Sequence, residues 1–269
     1  MLLLCPEGVD DWQELAEVSL EGGLKRRPRL TVAEPRVFFR YPCTFGRSMR
    51  IDDPSRDFDE FMERRMTSRE QLHDLLDDWL AHTGTKEVLV FIHGYNNSFD
   101  QAVVIAANVW HFMGKQGVPI AYTWPAGMGG LRGYTADSES GEFTIFHLKL
   151  FLEDLASNPD IEKVNILAHS RGTDVTLTAV REVTIAERAA GRDPNKTLKI
   201  GTVILASPDI DLEVASQRIS SERLPEVADK IPMYISPKDR ALRLSNWFQT
   251  GRGRAHARAV PGRQLLPEP

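Results

Sequence analysis

The chain has 269 residues, of which 42% are hydrophobic and 26% are charged. This composition is typical of a globular protein, and it excludes collagen-like, low-complexity and predominantly disordered chains. The length is compatible with one α/β domain. The formal net charge of −5 gives no basic surface for capturing nucleic acid or an anionic membrane, so we expect neither as a partner.

The two cysteines, Cys5 and Cys43, form no CxxC pair and have no histidine at metal-ligand spacing. We therefore expect no disulfide framework, no metal and no cofactor, and a reducing, cytoplasmic environment. Residues 1–6 are apolar but lack the basic region of a signal peptide, and we expect them to be mature sequence. A shortened lipoprotein signal ending at Cys5 is the alternative. No stretch has the apolar length of a membrane span.

The sequence predicts one domain with two flanking segments. Residues 1–29 are expected to form a leader helix and turn, residues 30–250 the α/β domain, and residues 251–269 a tail rich in Arg, Gly and Pro. The β-prone residues between 30 and 41 predict one or two short strands at the beginning of the sheet. Pro35 favours an edge position for them.

Two capping boxes predict helix starts. Thr67–Glu70 precedes a helical pattern of leucines that extends to Leu80, and Ser98–Gln101 precedes a second helix that extends towards Gly114. Between them, the continuous apolar run Val88–Ile92 predicts a strand buried on both faces.

The same alternation of strands and helices continues along the chain. Strands are predicted at 119–124, 164–167, 202–206 and 233–235, and helices at 143–155 and 174–190. Gly127–Gly133 is expected to be a loop over the site. The pattern predicts a mostly parallel sheet covered by helices on both faces, with functional residues at the carboxyl ends of the strands.

Ser170 is the candidate nucleophile. It lies in Ala168-His169-Ser170-Arg171-Gly172, between a predicted strand and a predicted helix. A sharp strand-to-helix turn exposes a serine hydroxyl, and small residues two positions to either side allow the strand and the helix to approach. The alternative is that Ser170 only caps the helix.

His93-Gly94-Tyr95, at the end of an earlier strand, is the candidate second half of an oxyanion hole. The backbone N–H groups of Tyr95 and Arg171 are predicted to stabilise the developing negative charge. His93 itself is predicted to be a buried structural histidine, because the catalytic base normally follows the nucleophile and the acid in this kind of chain.

These motifs resemble those of a family of bacterial α/β-hydrolases of undefined substrate, which is similar to lipases and esterases in its fold and its serine turn. The similarity covers about residues 30–250. It implies a serine nucleophile, a carboxylate at a later strand end and a histidine near the C-terminus. The matching segments are Val90–Asn96, Thr123–Pro125, Ala168–Gly172, Ala206–Asp211 and Ser236–Leu242.

Two strand ends offer an acid to orient the base. Asp239 follows the second strand after Ser170, which is where the resemblance places the carboxylate. Asp209 and Asp211 follow the first strand and stay as alternatives, and any of the three aspartates is also a common turn residue. Only His256 follows Asp239 as a candidate base, although its Arg-rich context is unlike the family's terminal histidine.

Together these residues predict hydrolysis of a small-molecule or lipid carboxylic ester through an acyl-serine intermediate. Peptide or thioester cleavage uses the same machinery and is not separated from it by sequence. The alternative is a catalytically weak or non-catalytic binding protein with the same fold, which the placement of His256 favours. The sequence makes no prediction of the oligomeric state.

Overall fold

The computed structural model describes residues 4–6, 30–32, 54–95, 97–126, 130–210 and 212–235, with backbone only for residues 4–6, 30–32, 54–57, 130–140 and 212. The strands are β1 (Leu4–Pro6), β2 (Leu30–Val32), β3 (Glu87–Ile92), β4 (Val118–Tyr122), β5 (Lys163–His169), β6 (Ile200–Ala206) and β7 (Met233–Tyr234). The α-helices are α1 (Pro54–Leu80), α2 (Phe99–Phe112), α3 (Gly130–Ser157), α4 (Gly172–Ala189), α5 (Pro194–Leu198) and α6 (Leu212–Ser216).

The main sheet has five described strands in the order β4-β3-β5-β6-β7, and all of its pairings are parallel. At its carboxyl edge Ile92 is opposite Ala168, and His169 is opposite Ala206. The segments that follow β3, β5 and β6 therefore leave the sheet side by side. This arrangement confirms the predicted parallel sheet, and it brings the segments that carry the predicted site residues to one edge.

Helices cover both faces of the sheet. On one face, α1, α3 and α4 pack over alternate strand residues, and Val90, Ile166 and Leu205 are completely buried there. On the other face, α2 packs over Phe91 through two small residues, Ala102 and Ala106. Strand residues that are apolar on both sides are what this double covering requires.

The two short N-terminal strands do not belong to the main sheet. β2 pairs with β1 in antiparallel orientation, with Leu4 opposite Val32. The predicted start of the sheet near residue 30 was therefore wrong for β2, and the leader contains a strand that was not predicted. Three-residue strands lack the long apolar run that a strand covered on both faces needs. Residues 33–41 lie outside the described part of the chain.

One of the two capping boxes begins a helix and the other does not. Ser98 Oγ accepts a hydrogen bond from the Gln101 backbone N–H (3.3 Å), and Gln101 Oε1 accepts one from the Ser98 N–H (3.0 Å), as predicted. Thr67 instead lies inside α1, where its hydroxyl donates to the carbonyl oxygen of Glu63. The predicted start of α1 was wrong because Pro54, a residue favoured at a first helical position, begins the helix ahead of the charged stretch.

The start of the helix after β4 was also not predicted, because glycines precede and begin it. α3 begins at Gly130, so the predicted loop over Gly127–Gly133 was wrong for its second half; residues 127–129 lie outside the described part. Glycine is unfavourable but tolerated in a helix when packing compensates. Further along α3, Gly141 is buried, and a Cβ atom added there would lie 3.6 Å from Val175 Cγ2 of α4, so the two helices are close at this point.

The chain between β6 and β7 was not predicted at all. After α6 it forms a π-helical turn, Gln217–Ser221, and a 3₁₀ turn, Leu224–Glu226. π-helical turns are rare and are often found at functional sites. Among the helices that the structure describes, none combines the length and apolarity needed to cross a bilayer.

Candidate active site

Ser170 occupies the turn between β5 and α4, and its backbone is in the left-handed region with φ of 51°. Residues other than glycine rarely adopt this backbone conformation, and those that do are often found at functional sites. The Ser170 N–H donates to the carbonyl oxygen of Ala206 on β6 (2.9 Å). The turn is thus tied to the neighbouring strand at the carboxyl edge of the sheet.

The carbonyl oxygen of Ser170 is held by three donors. It accepts hydrogen bonds from the Thr173 hydroxyl (2.6 Å), from the Thr173 N–H (3.0 Å) and from the Asp209 N–H (3.3 Å). Thr173 was not predicted to contribute to the site, because a threonine in the first turn of a helix is common. These contacts fix the peptide plane between Ser170 and Arg171, and therefore the direction of the Arg171 N–H.

Two glycines allow the chain to close around Ser170. A Cβ atom on Gly94 would lie 2.6 Å from Ser170 Cβ and 2.9 Å from the His169 carbonyl oxygen. A Cβ atom on Gly172 would lie 2.5 Å from the carbonyl oxygen of His93. Any side chain at either position would collide with these atoms. The segment after β3, which includes Tyr95, is thereby brought directly against the Ser170 turn.

His93 is completely buried, and both of its ring nitrogens are hydrogen-bonded. Its Nε2 accepts from the Trp124 backbone N–H (3.0 Å), so the hydrogen is assigned to Nδ1, which donates to the carbonyl oxygen of Gly94 (2.9 Å). Burial lowers the pKa of His93. These contacts agree with the predicted structural role, in which a neutral imidazole shapes the loop that carries Tyr95.

Trp124 is the partner of His93 that the sequence did not reveal. Its indole N–H donates to the carbonyl oxygen of His93 (2.8 Å), and its ring stacks on the imidazole at a centroid distance of 5.6 Å. The position of Trp124 at the end of β4, next to β3 in the sheet, is the signal that relates the two residues. The contact between Trp124 and His93 can be inferred only when the strand order is known.

A scan against models of protein families gave a match over residues 68–264, to the family described as alpha/beta hydrolase of unknown function (DUF900). The chain belongs to this family. No curated protein and no solved structure matched the chain. Membership agrees with the parallel sheet and confirms the predicted α/β-hydrolase fold with an undefined substrate. It establishes a hydrolase family and leaves the reaction of this member to be argued from its residues.

The predicted acids and base are divided between described and undescribed parts of the chain. Asp209 is buried, with 8% of its surface exposed, and its backbone lies against that of Ser170. Asp211, Asp239 and His256 lie outside the described residues, so their roles stay predictions. The same is true of Ser170 as nucleophile and of Tyr95 and Arg171 as oxyanion donors, because the contacts above give their position and not their chemistry.

A cavity of about 310 Å³ lies away from Ser170, between α1, α3 and α4. The Arg65 guanidinium donates to both carboxylate oxygens of Asp154 there (2.8 and 3.2 Å), and it pairs with Glu153 at 2.8 Å. Burial raises the pKa of the Asp154 carboxyl to about 7, and the Arg65 charge acts in the opposite direction. None of the predicted site residues lines this cavity. Across the described residues, no group of three or more His, Cys, Asp or Glu side chains is arranged to bind a metal.

Proposed function

We propose that this member of the family is a serine hydrolase that cleaves a carboxylic ester through an acyl-serine intermediate. The observation that carries the proposal is the left-handed backbone of Ser170, at a strand-to-helix turn against which Gly94 is packed. This conformation is costly for serine, and it projects the hydroxyl from the edge of the sheet where hydrolases of this fold carry their nucleophile.

In the proposed mechanism, Ser170 Oγ attacks the ester carbonyl carbon while its proton passes to His256. Asp239 holds the imidazole in the productive tautomer, and the N–H groups of Tyr95 and Arg171 stabilise the oxyanion. Collapse of the tetrahedral intermediate expels the alcohol, which takes the proton from His256. Water, activated by the same histidine, then releases the carboxylic acid and restores Ser170.

Asp209 is the alternative acid, and its position supports it. Asp209 is buried, and its backbone N–H donates a hydrogen bond to the carbonyl oxygen of Ser170. Asp239 follows β7, which is one strand further from Ser170 in the sheet order. A carboxylate at either strand end satisfies the chemical requirement, so substitution has to decide between them.

A panel of p-nitrophenyl esters of graded acyl length tests the proposal. We expect Ser170→Ala and His256→Ala to lower kcat by about a thousandfold or more, and removal of the true acid to give a similar loss. Comparing Asp239→Asn with Asp209→Asn identifies that acid. Unchanged turnover in His256→Ala would reassign the base, and unchanged turnover in Ser170→Ala would exclude the mechanism.

A second candidate function is binding without turnover, on the same fold. It is favoured by one observation: His93, the described histidine whose loop packs against Ser170, uses both ring nitrogens in structural hydrogen bonds. The base is thus sought in the undescribed C-terminal part of the chain. Absence of turnover across the ester panel, in a folded protein that also resists a fluorophosphonate, would support this candidate over the hydrolase.

A further inference from the structure

Three ion pairs join α4 to the chain that follows β6. In each pair one residue lies on α4. These three residues are spaced seven apart, which is close to two helical turns, so they lie along one side of the helix. Their partners lie in or next to the π-helical and 3₁₀ turns. The pairs are Asp174 with Arg218, Arg181 with Glu222 at 3.3 Å, and Arg188 with Glu226 at 3.2 Å.

The first of these pairs lies next to the Ser170 turn. Arg218 Nη1 donates to the Asp174 carboxylate and also approaches the Asp174 backbone carbonyl oxygen at 3.4 Å. Arg171 Nη2 lies 3.6 Å from the other carboxylate oxygen. The three side chains are 17 to 20% exposed. Partial burial weakens screening by solvent, so this contact holds its partners more firmly than a surface pair does.

Asp174 therefore connects the two segments on which the Ser170 turn depends. Its carboxylate contacts Arg171, whose backbone N–H is the proposed oxyanion donor. Through Arg218 it also holds the segment after β6, from which Asp209 donates to the carbonyl oxygen of Ser170. Displacement of that segment would release one of the three donors that orient the peptide between Ser170 and Arg171.

We propose that Asp174 and Arg218 are positioning residues, which keep the Arg171 N–H aimed at the carbonyl oxygen of the substrate. This inference rests on the proposed serine hydrolase activity. Neither side chain is assigned contact with the reacting atoms. Their effect passes through the geometry of the oxyanion donor, where a misplacement of about 1 Å can reduce the rate about a hundredfold.

The pair between Arg188 and Glu226 is a matched control. It joins the same helix to the same segment with the two charges exchanged, since here the arginine lies on α4 and the carboxylate on the segment, and its side chains are 37 and 46% exposed. Arg188 is fourteen residues beyond Asp174, which places it about 21 Å further along the helix axis. A purely structural contribution from such pairs would appear at both ends of α4, whereas a positioning effect would appear only next to Ser170.

The test uses the rate at which an alkyl fluorophosphonate labels the full-length protein. In this reaction Ser170 Oγ forms a bond to phosphorus, fluoride leaves, and the hydroxyl proton passes to the base. The maximal labelling rate constant and the half-saturating probe concentration are measured separately for wild type, Asp174→Asn, Arg218→Gln, Arg218→Lys and Arg188→Gln. Melting temperatures are recorded for all five proteins.

We expect Asp174→Asn and Arg218→Gln to lower the maximal rate constant about tenfold or more with little change in half-saturation, because the donor geometry and not probe binding is altered. Arg218→Lys, which keeps the charge, should recover part of the loss. Arg188→Gln should be labelled at nearly the wild-type rate, even if its melting temperature falls as much as those of the Asp174 and Arg218 variants.

Equal rate constants in wild type and the Arg218 variants would overturn the positioning role, as would equal losses at Arg218 and Arg188. If Asp174→Asn does not fold, the comparison of Arg218→Gln with Arg218→Lys decides the outcome. Failure of the folded wild type to label is a separate result, since it would remove the proposed hydrolase activity itself.

Discussion

Ser170 holds a backbone conformation that costs about 1 to 3 kcal/mol for a residue with a side chain. Four hydrogen bonds, one from its N–H and three to its carbonyl oxygen, fix this conformation. The neighbouring chain is equally constrained, since Gly94 leaves no room for a Cβ atom beside Ser170. The position of the hydroxyl is thus set by a small number of backbone contacts, and substitutions at these contacts should affect reactivity before they affect the fold.

Gly94→Ala is expected to reduce labelling by a fluorophosphonate by about a hundredfold. The added Cβ would lie 2.6 Å from Ser170 Cβ and 2.9 Å from a backbone oxygen, so the loop carrying Tyr95 must move away from the nucleophile. Gly84→Ala is the control, because its added Cβ meets only a side-chain oxygen of Gln116 at an ordinary 3.6 Å. Wild-type labelling of a folded Gly94→Ala protein would contradict this account of the loop.

His93 should make the stability of the protein dependent on pH. Burial lowers its pKa in the folded state, so the unfolded chain takes up a proton, near the ordinary pKa of about 6.5, that the folded chain does not. The stabilisation is therefore complete above this pH and decreases as the pH falls through it. Asp154, whose pKa is raised, has the opposite dependence, and a comparison with a variant of His93 removes its contribution.

The measurement is the free energy of unfolding by urea at pH 7.5 and 5.5 for wild type and His93→Gln. Wild type should lose more stability than the variant over this interval, because only the wild-type chain takes up a proton at residue 93 when it unfolds at the lower pH. An equal loss in both proteins would mean that the pKa of His93 is not lowered on folding, which would contradict the buried, neutral imidazole that accepts a hydrogen bond from Trp124.

At the scale of elements, the strands were easier to predict than the helix starts. β3 and β6 are apolar runs, which parallel strands buried on both faces require. Their carboxyl ends were predicted to the residue, and their amino ends to within two residues. The starts of α1 and α3 were missed because charged residues and glycines conceal them, and tertiary packing overrides local propensity there. The π-helical turn at 217–221 has no periodicity by which to recognise it.

Gly141→Ala is expected to stabilise the protein by about 0.5 to 1 kcal/mol. The residue lies inside α3, where glycine costs conformational entropy, and the added Cβ would make an ordinary contact with Val175 Cγ2 at 3.6 Å. Gly201→Ala is the opposite case, because its Cβ would lie 2.6 Å from the Asn165 side-chain oxygen, and it should destabilise. Urea unfolding of both variants checks the signs, and a destabilised Gly141→Ala would mean that α3 and α4 are packed too tightly for a methyl group.

For the whole molecule, the parallel sheet explains how distant sequence segments form one site. His93, Ser170 and Asp209 follow three neighbouring strands, and the sequence predicted their common edge because parallel strands end together. The contacts among them, such as Trp124 with His93 and Arg218 with Asp174, depend on strand order and loop geometry, which no local pattern encodes. Asp239 and His256 follow β7 in the sequence and lie outside the described residues. Whether they complete a triad with Ser170 is therefore tested by the activity of their variants.

The most direct test of the central claim is the mass of the intact protein after treatment with a fluorophosphonate. Wild type should gain the mass of one phosphonyl group, located by peptide mapping on Ser170, and folded Ser170→Ala should gain none. A folded wild-type protein that stays unmodified, or a Ser170→Ala variant that is labelled to the same extent, would contradict the assignment of Ser170 as the nucleophile.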